Sequence, residues 1–405
     1  MRLLVAAIGS RGDVQPVVAL AVRLMELGQD VRVCAPPDFR EQIEGFGIPF
    51  TPVGPELRST GRTSPSAAPP TPEQRRRMVA DSVAAQFDAV RAAARGCDAI
   101  VAGGYLVVAA RTVAEEMGIG YVMAAYCPNF LPSTHHAPPV YPMLGEGPAD
   151  GTVDNRALWA RDEQRWNDTW SAVLNAHRTA AGLEPVTDVR SHLFTGTPWL
   201  AADLTLAPWP GPAEPDVVQT GAWILPDERP LSAELEAFLE AGDPPLYLGF
   251  GSIRAPEDLG ATMVRAARAL GRRVIVARGW ADLAPSDDGR DCLSIGEVNQ
   301  QALFRRVAAV VHHGGAGTTT AAARAGAPQV VIAQHVDQYY WAQRVHDLGI
   351  GTAHTPGAPT ADSLTRALDR ILEPSVKTRA AAVAGSVRTD GADVAARLLT
   401  EARWQ

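Results

Sequence analysis

The apolar positions of this chain come in short unbroken runs, and most runs lead into a stretch with helical spacing. Leu3 to Ile8 (LLVAAI) is the first. An unbroken run suits a strand covered on both faces, where neither side points to water. Val17 to Gly28 then carries apolar residues at three- and four-residue intervals and stops at glycine, which predicts a helix and its end. The alternation continues with VRVCAP (Val31 to Pro36), the helical FREQIEGFG, FTPV, DAIVAGG, the helical VAARTVAEEMG, and YVMAAY. Repeated strand–helix–strand units predict a parallel, doubly wound sheet.

Two stretches break this rhythm: Ser59 to Gln74, rich in Pro, Ser and Thr, and Cys127 to Asn155, rich in Pro, Gly and aromatics. Both are candidate walls of an acceptor pocket, with plain surface loop as the other reading. Leu206 to Ser232 reads as an interdomain linker. The alternation then restarts with PLYLGFGS, DLGATMVRAARALG, RRVIVARG, CLSIGE, QALFRRV, AAVVHH, a glycine loop, a helix to Gly326, and QVVIA. The tail from Asp393 predicts a final helix. The expected fold is therefore α/β, with doubly wound domains at 1–215 and 216–385 and a final helix at 386–405. Ligands of such sheets lie outside the carboxyl ends of the strands, so both glycine-bearing strand ends should face the cleft between the domains.

Composition mostly excludes. The chain has 405 residues, 46% of them hydrophobic, enough for two cores. A net charge of -8 with no basic block argues against nucleic acid. The four cysteines (Cys34, Cys97, Cys127, Cys292) are too scattered for a metal site or a disulfide framework. The opening MRLLVAAIGSRGD lacks a long apolar core and a cleavage site, and no run spans a membrane. A reduced, cytoplasmic setting without a cysteine metal site is expected.

Three motifs carry chemistry. HHGGAGTT (His312 to Thr319) joins a strand to a helix. Its backbone N–H groups at Gly314, Gly315, Ala316 and Gly317, with Thr318 at the helix start, suit a phosphate. It has neither the Walker lysine nor G-x-G-x-x-G spacing. The other reading is a tight turn. HVDQ (His335 to Gln338) sets a carboxylate beside an amide, an acceptor and a donor for sugar hydroxyls, although Asp337 also suits a helix cap. GSRGDVQP (Gly9 to Pro16) puts Asp13 at the top of the first sheet, as a proton acceptor or again a cap.

Together GSRGD, VQTGAWILPDERPLS, GFGS, RGWADL, GEVN, HHGGAGTT, RAGAPQ and the final DQ resemble the GT-B glycosyltransferases of family 1, in particular the bacterial antibiotic enzymes of the vancomycin group. The resemblance implies two Rossmann-like domains with the helix at 386–405 packing back on the first. It also implies a cytoplasmic enzyme, monomer or weak homodimer, with no metal and no cofactor, performing an inverting transfer from a nucleoside-diphosphate sugar, dTDP- or UDP-linked, to a small-molecule aglycone. It implies that His312, Gly314, Gly315, Ala316, Gly317 and Thr318 hold the diphosphate, with Ser252, Ser10 and Arg11. Trp280 and Val298 would border the nucleoside, and Asp337 and Gln338 the donor sugar. Asp13 would be the general base. His135 and His136 are weak acceptor candidates, more readily read as exposed loop histidines. The chain departs from the pattern at Tyr339, in place of proline after DQ, and at Gln300 after GEVN. Its STHHAPPVYPM segment differs in detail from the glycopeptide enzymes, so an acceptor of another kind is open. A sugar-nucleotide epimerase and a non-catalytic sugar-nucleotide-binding partner are the alternative readings.

Overall fold

The computed structural model describes residues 1–60, 71–141, 152–211, 215–256, 258–285, 287, 289–355 and 357–402. Seven parallel strands form the first sheet: β1 (Arg2–Ala7), β2 (Asp30–Ala35), β3 (Phe50–Pro52), β4 (Ala99–Gly103), β5 (Gly120–Ala125), β6 (Trp199–Leu200) and β7 (Val218–Gln219). Their order is β3-β2-β1-β4-β5-β6-β7. The second sheet has β8 (Leu246–Gly249), β9 (Val274–Ala277), β10 (Cys292–Ile295), β11 (Ala309–His312), β12 (Gln329–Val331) and β13 (Gly351–Ala353), in the order β10-β9-β8-β11-β12-β13. The strand order reverses between β1 and β4 in one sheet and between β8 and β11 in the other. Helices leaving opposite faces at such a point open a crevice at the strands' carboxyl ends.

The expected unbroken strands are buried on both faces. Leu3, Leu4, Val5 and Ala7 of β1 are fully shielded from solvent. One apolar cluster covers each face of the first sheet. One of them continues through Leu131 and Leu206 to Trp341, Ala342 and Val345 of the second domain. The other takes in Ala392, Ala395, Ala396 and Leu399 of the helix Gly391–Glu401, which returns to pack on the helix Arg11–Glu26. That return requires close backbone approach: a Cβ on Gly391 would lie 2.4 Å from the carbonyl carbon of Gly221.

Several expectations need correction. β7 lies inside the segment read as linker and beyond residue 215, yet it pairs with β6 of the first sheet. Two-residue strands are too short to show a period. The first helix begins at Arg11, not Val17, because Ser10 and Asp13 form a capping box ahead of the apolar run. Pro16 therefore lies inside that helix. The segment from Ser59 is only partly described, and Thr71 caps a 22-residue helix, Pro72–Ala93, within what was read as loop and after it. Residues 142–151 of the second interruption lie outside the described residues. The helix that follows, Asn155–Ala180, buries Trp159, Trp166 and Leu174. Among the described residues no helix is long and apolar enough to cross a membrane.

Candidate active site

The two reversal points face each other. On the first domain, β1 runs through Gly9 into the helix holding Asp13, and β4 runs into Gly104 and Tyr105. The Ser10 N–H donates to Asp13 Oδ2 at 2.8 Å. A Cβ on Gly9 would lie 2.2 Å from that same oxygen, and one on Gly104 would lie 3.3 Å from Oδ1. The carboxyl group thus sits in a cradle that side chains would fill. The residue is half-buried. Desolvation of its carboxyl group pushes the pKa up to about 7; the Ser10 N–H opposes this, and the charge of Asp337 adds to it. Capping and cleft-facing roles, left as alternatives by the sequence, are both realised at Asp13.

Asp337 comes from the other domain, at the start of the helix Gln338–Asp347. It does not cap that helix: no cap hydrogen bond forms from its side chain. Its Oδ2 instead accepts from Trp341 Nε1 at 3.2 Å. Burial pushes its pKa up to about 6. Gln338 is buried, and its Oε1 accepts from the N–H groups of Gln334 (2.8 Å) and His335 (3.3 Å). Its amide oxygen thus holds its own loop rather than facing a ligand. Tyr339, at the departure from the family pattern, ties the same loop by donating to the Gln334 carbonyl at 3.0 Å. Gln300, at the other departure, donates weakly to the Tyr247 hydroxyl at 3.4 Å.

The two histidines differ. His312 is fully buried. Nε2 lies 2.9 Å from Gln329 Oε1, and Nδ1 accepts from the Gly314 N–H at 3.0 Å. Both nitrogens are engaged, and burial pulls the pKa down to about 4, so the ring is neutral. That corrects the expectation for His312: its ring shapes the loop and has no nitrogen left for a diphosphate. His313 is half-buried, packs against Gly251 and Phe250, and has a buried Nδ1 with no partner. Burial lowers its pKa to about 3.

Gly314 has φ +93°, and a Cβ there would come within 2.6 Å of Val331 Cγ1. This turn leads into the helix Ala316–Arg324, whose cap is Gly315. Gly317 is exposed with nothing near it, and Thr318 is half-buried beside it. The first-turn N–H groups of this helix thus receive no side-chain cap from Gly315.

Ser10, Ser252 and Trp280 come together as expected, lining a cavity of about 270 Å³ with Leu57, Arg58, Ile253 and Arg254. Trp280 stacks on Phe39 of the first domain, centroids 6.2 Å apart. Val298 is half-buried against the second domain's core. Arg11 does not lie free for a diphosphate. Its Nη2 pairs with Glu297 of GEVN across the cleft, while its buried Nε has no partner.

His135 is exposed, as the plain-surface reading has it. His136 is not. Its Nε2 lies 3.0 Å from the Leu131 carbonyl, and its ring packs edge-on against Trp159, Trp209 and Tyr340. Neighbouring aromatics made it a packing residue. The acceptor side shows residues that sequence reasoning missed. Tyr105 stacks on Phe130 at 4.6 Å, meets Trp166 edge-on at 6.1 Å and hydrogen-bonds Tyr141. Tyr126 donates to the Asp13 carbonyl at 3.0 Å. A tyrosine directly after the glycines of DAIVAGG was the available signal. Far from the cleft, Asp287, Asp291 and Cys292 converge, but Arg268 takes both carboxylates. All four cysteines are buried and unbridged.

Residues 3–135 match the glycosyltransferase family 28 N-terminal domain, and residues 291–395 match the erythromycin biosynthesis protein CIII-like C-terminal domain. A vancomycin aglycone glucosyltransferase of Amycolatopsis orientalis is 54% identical over 404 residues, covering 99% of this chain and 98% of that protein. The chain is an antibiotic glycosyltransferase of the vancomycin group. A dTDP-epi-vancosaminyltransferase of the same organism is 46% identical, covering 95% and 93%. Among solved structures, the glycosyltransferase of kitacinnamycin superposes with a TM-score of 0.72 at 19% identity, covering 98% of each chain. That likeness shows the GT-B fold, with two Rossmann-like domains.

Proposed function

We propose that this glycosyltransferase moves a hexose or deoxyhexose from a dTDP- or UDP-sugar to a hydroxyl of an antibiotic-type aglycone, inverting the anomeric carbon, with Asp13 as general base. The observation that carries this reading is the enclosed Asp13 carboxylate facing Asp337 across the cleft. An alcohol is far too weak an acid to ionise onto an ordinary aspartate. Asp13, raised to about 7, takes the proton only as the new bond forms. The acceptor oxygen attacks the anomeric carbon from the face opposite the leaving group. The bond to the diphosphate breaks, and its electron pair leaves with the diphosphate.

The leaving diphosphate gains charge where the Ala316–Arg324 helix begins. The N–H groups of Gly317 and Thr318, the hydroxyls of Ser10 and Ser252, and a neutral His313 donating through Nδ1 would receive it. Arg11 would join by exchanging Glu297 for phosphate. This donor set offers enough positive potential for a metal-independent departure. The names of the similar proteins favour dTDP as the nucleotide and a glycopeptide core as the aglycone. Tyr105, Phe130 and Trp166 offer such an aglycone an aromatic wall.

The test incubates the enzyme with dTDP-glucose or UDP-glucose and vancomycin aglycone, with and without EDTA. A glucosylated product of inverted configuration, formed equally with EDTA and lost in Asp13→Asn, is expected. Release of free glucose alone, or an epimerised nucleotide sugar, would overturn the reading.

A further inference from the structure

Val336, the residue directly before Asp337, has φ +58°. A branched side chain is costly in the left-handed region, so such a residue persists only where its surroundings hold it. Here they do. The Val336 N–H donates to the Val140 carbonyl at 2.7 Å, in an isolated antiparallel bridge. Val140 belongs to the acceptor side of the first domain, and Val336 to the second. On either side of the bridge the loop is closed on itself. Gln338 Oε1 takes two N–H groups of Gln334 and His335, Gln334 Nε2 donates to the Arg254 carbonyl at 2.9 Å, and the Tyr339 hydroxyl donates to the Gln334 carbonyl.

The consequence falls on Asp337. Returning residue 336 to an ordinary negative φ would rotate the chain just before Asp337 and swing its carboxylate off Trp341 Nε1. We infer that Val336 is a positioning residue, whose left-handed backbone, clasped by the Val140 carbonyl of the opposite domain, aims Asp337 at the donor sugar. The inference rests on the reading of Asp337 as a donor-sugar contact. It makes the sugar-binding carboxylate complete only where the acceptor wall meets the donor loop. The contact between the two domains thereby sets the sugar-binding carboxylate.

The experiment compares dissociation constants of dTDP-glucose and dTDP, by calorimetry, for the wild type, Val336→Gly, Val336→Pro and Asp337→Asn. Glycine accepts positive φ freely. Val336→Gly should keep the dTDP-glucose constant within about threefold and raise Tm by about 2 °C through lost strain. Proline fixes φ near −65° and has no N–H. Val336→Pro should weaken dTDP-glucose at least tenfold and dTDP less than threefold. Asp337→Asn should show the same selective loss. If Asp337→Asn is selective and Val336→Pro binds dTDP-glucose like the wild type, the positioning role is overturned while the sugar contact stands. If Asp337→Asn binds both ligands like the wild type, the sugar contact itself fails. Should Val336→Pro not fold, a fall in Tm for Val336→Gly overturns the inference.

Discussion

The two domains repeat one device and use it for opposite chemistry. In each, a buried parallel strand at the reversal of strand order ends in glycine and turns into a helix. In the first domain the helix start is occupied: Ser10 and Asp13 cap it, and the Asp13 carboxylate takes the space that Gly9 and Gly104 leave. In the second the helix start carries no acid: Gly315 is the cap, with the neutral His313 ring beside it, Gly317 is open, and the first turn holds no carboxylate. A helix start that carries its own carboxylate has spent its attraction for anions, and one without keeps it. On the proposed function, the same turn would present a base on one side and an anion seat on the other. A carboxylate and an anion site, facing each other, are what the proposed attack and departure at one carbon require.

The comparison breaks most sharply at Asp13. Replacing it by Asn should lower kcat by about 10²–10⁴-fold, the range for loss of a positioned base, measured by product formation under saturating donor. The same variant should be more stable than the wild type above neutral pH. The folded pKa of Asp13, about 7, lies above its ordinary value, so folding favours the protonated form. The Tm advantage of the variant should grow as pH rises from about 4 to about 7 and then level off. In the wild type, kcat/KM should rise with pH through about 7, as the base ionises. A flat profile between pH 5 and 8 would remove Asp13 as the base.

In the second domain His312 shapes the loop, and the proposed function gives the diphosphate to His313. His312→Ala leaves the Gly314 N–H and Gln329 buried without partners and should cost about 2–4 kcal/mol of stability, read by denaturant unfolding. His313→Ala should leave Tm within about 2 °C and weaken dTDP binding roughly tenfold, since its Nδ1 has no partner to lose. The opposite pattern would restore the diphosphate role to His312. The smallest effect belongs to Glu297→Gln. Its ion pair with Arg11 is largely exposed, with side chains 36% and 54% accessible, so stability should change by less than about 1 kcal/mol. Freed from Glu297, Arg11 should bind dTDP slightly tighter, about two- to threefold, and less so in high salt.

Much of this was legible along the chain. The unbroken apolar runs and the glycine turns placed both sheets and both cleft-facing loops, because burial on two faces and positive φ leave direct marks on residue choice. Asp13, Ser10, Ser252, Trp280, the glycine loop and Asp337 all meet at the cleft. The finer assignments were not readable. His312 and His313 are neighbours of one type, and only the partner Gln329, 17 residues away, shows which is consumed. Gln338 reads as a sugar ligand along the chain, and only the fold shows that its oxygen is committed to its own loop. His136 looked like an exposed loop residue until Trp159, Trp209 and Tyr340 closed on it. Tyr105 and Tyr141 are 36 residues apart, and nothing local links them.

Periodicity, turn chemistry and motif spacing are local properties, and by themselves they determined the α/β class and the two runs of strand–helix alternation, while the combined motifs carried the resemblance to the family. Which nitrogen is free, which carboxylate is raised and which carbonyl clasps Val336 depend on groups brought together from distant segments. Hydrogen-bond satisfaction and desolvation act at a few ångströms in space, without regard to separation along the chain. Only the folded structure could decide them.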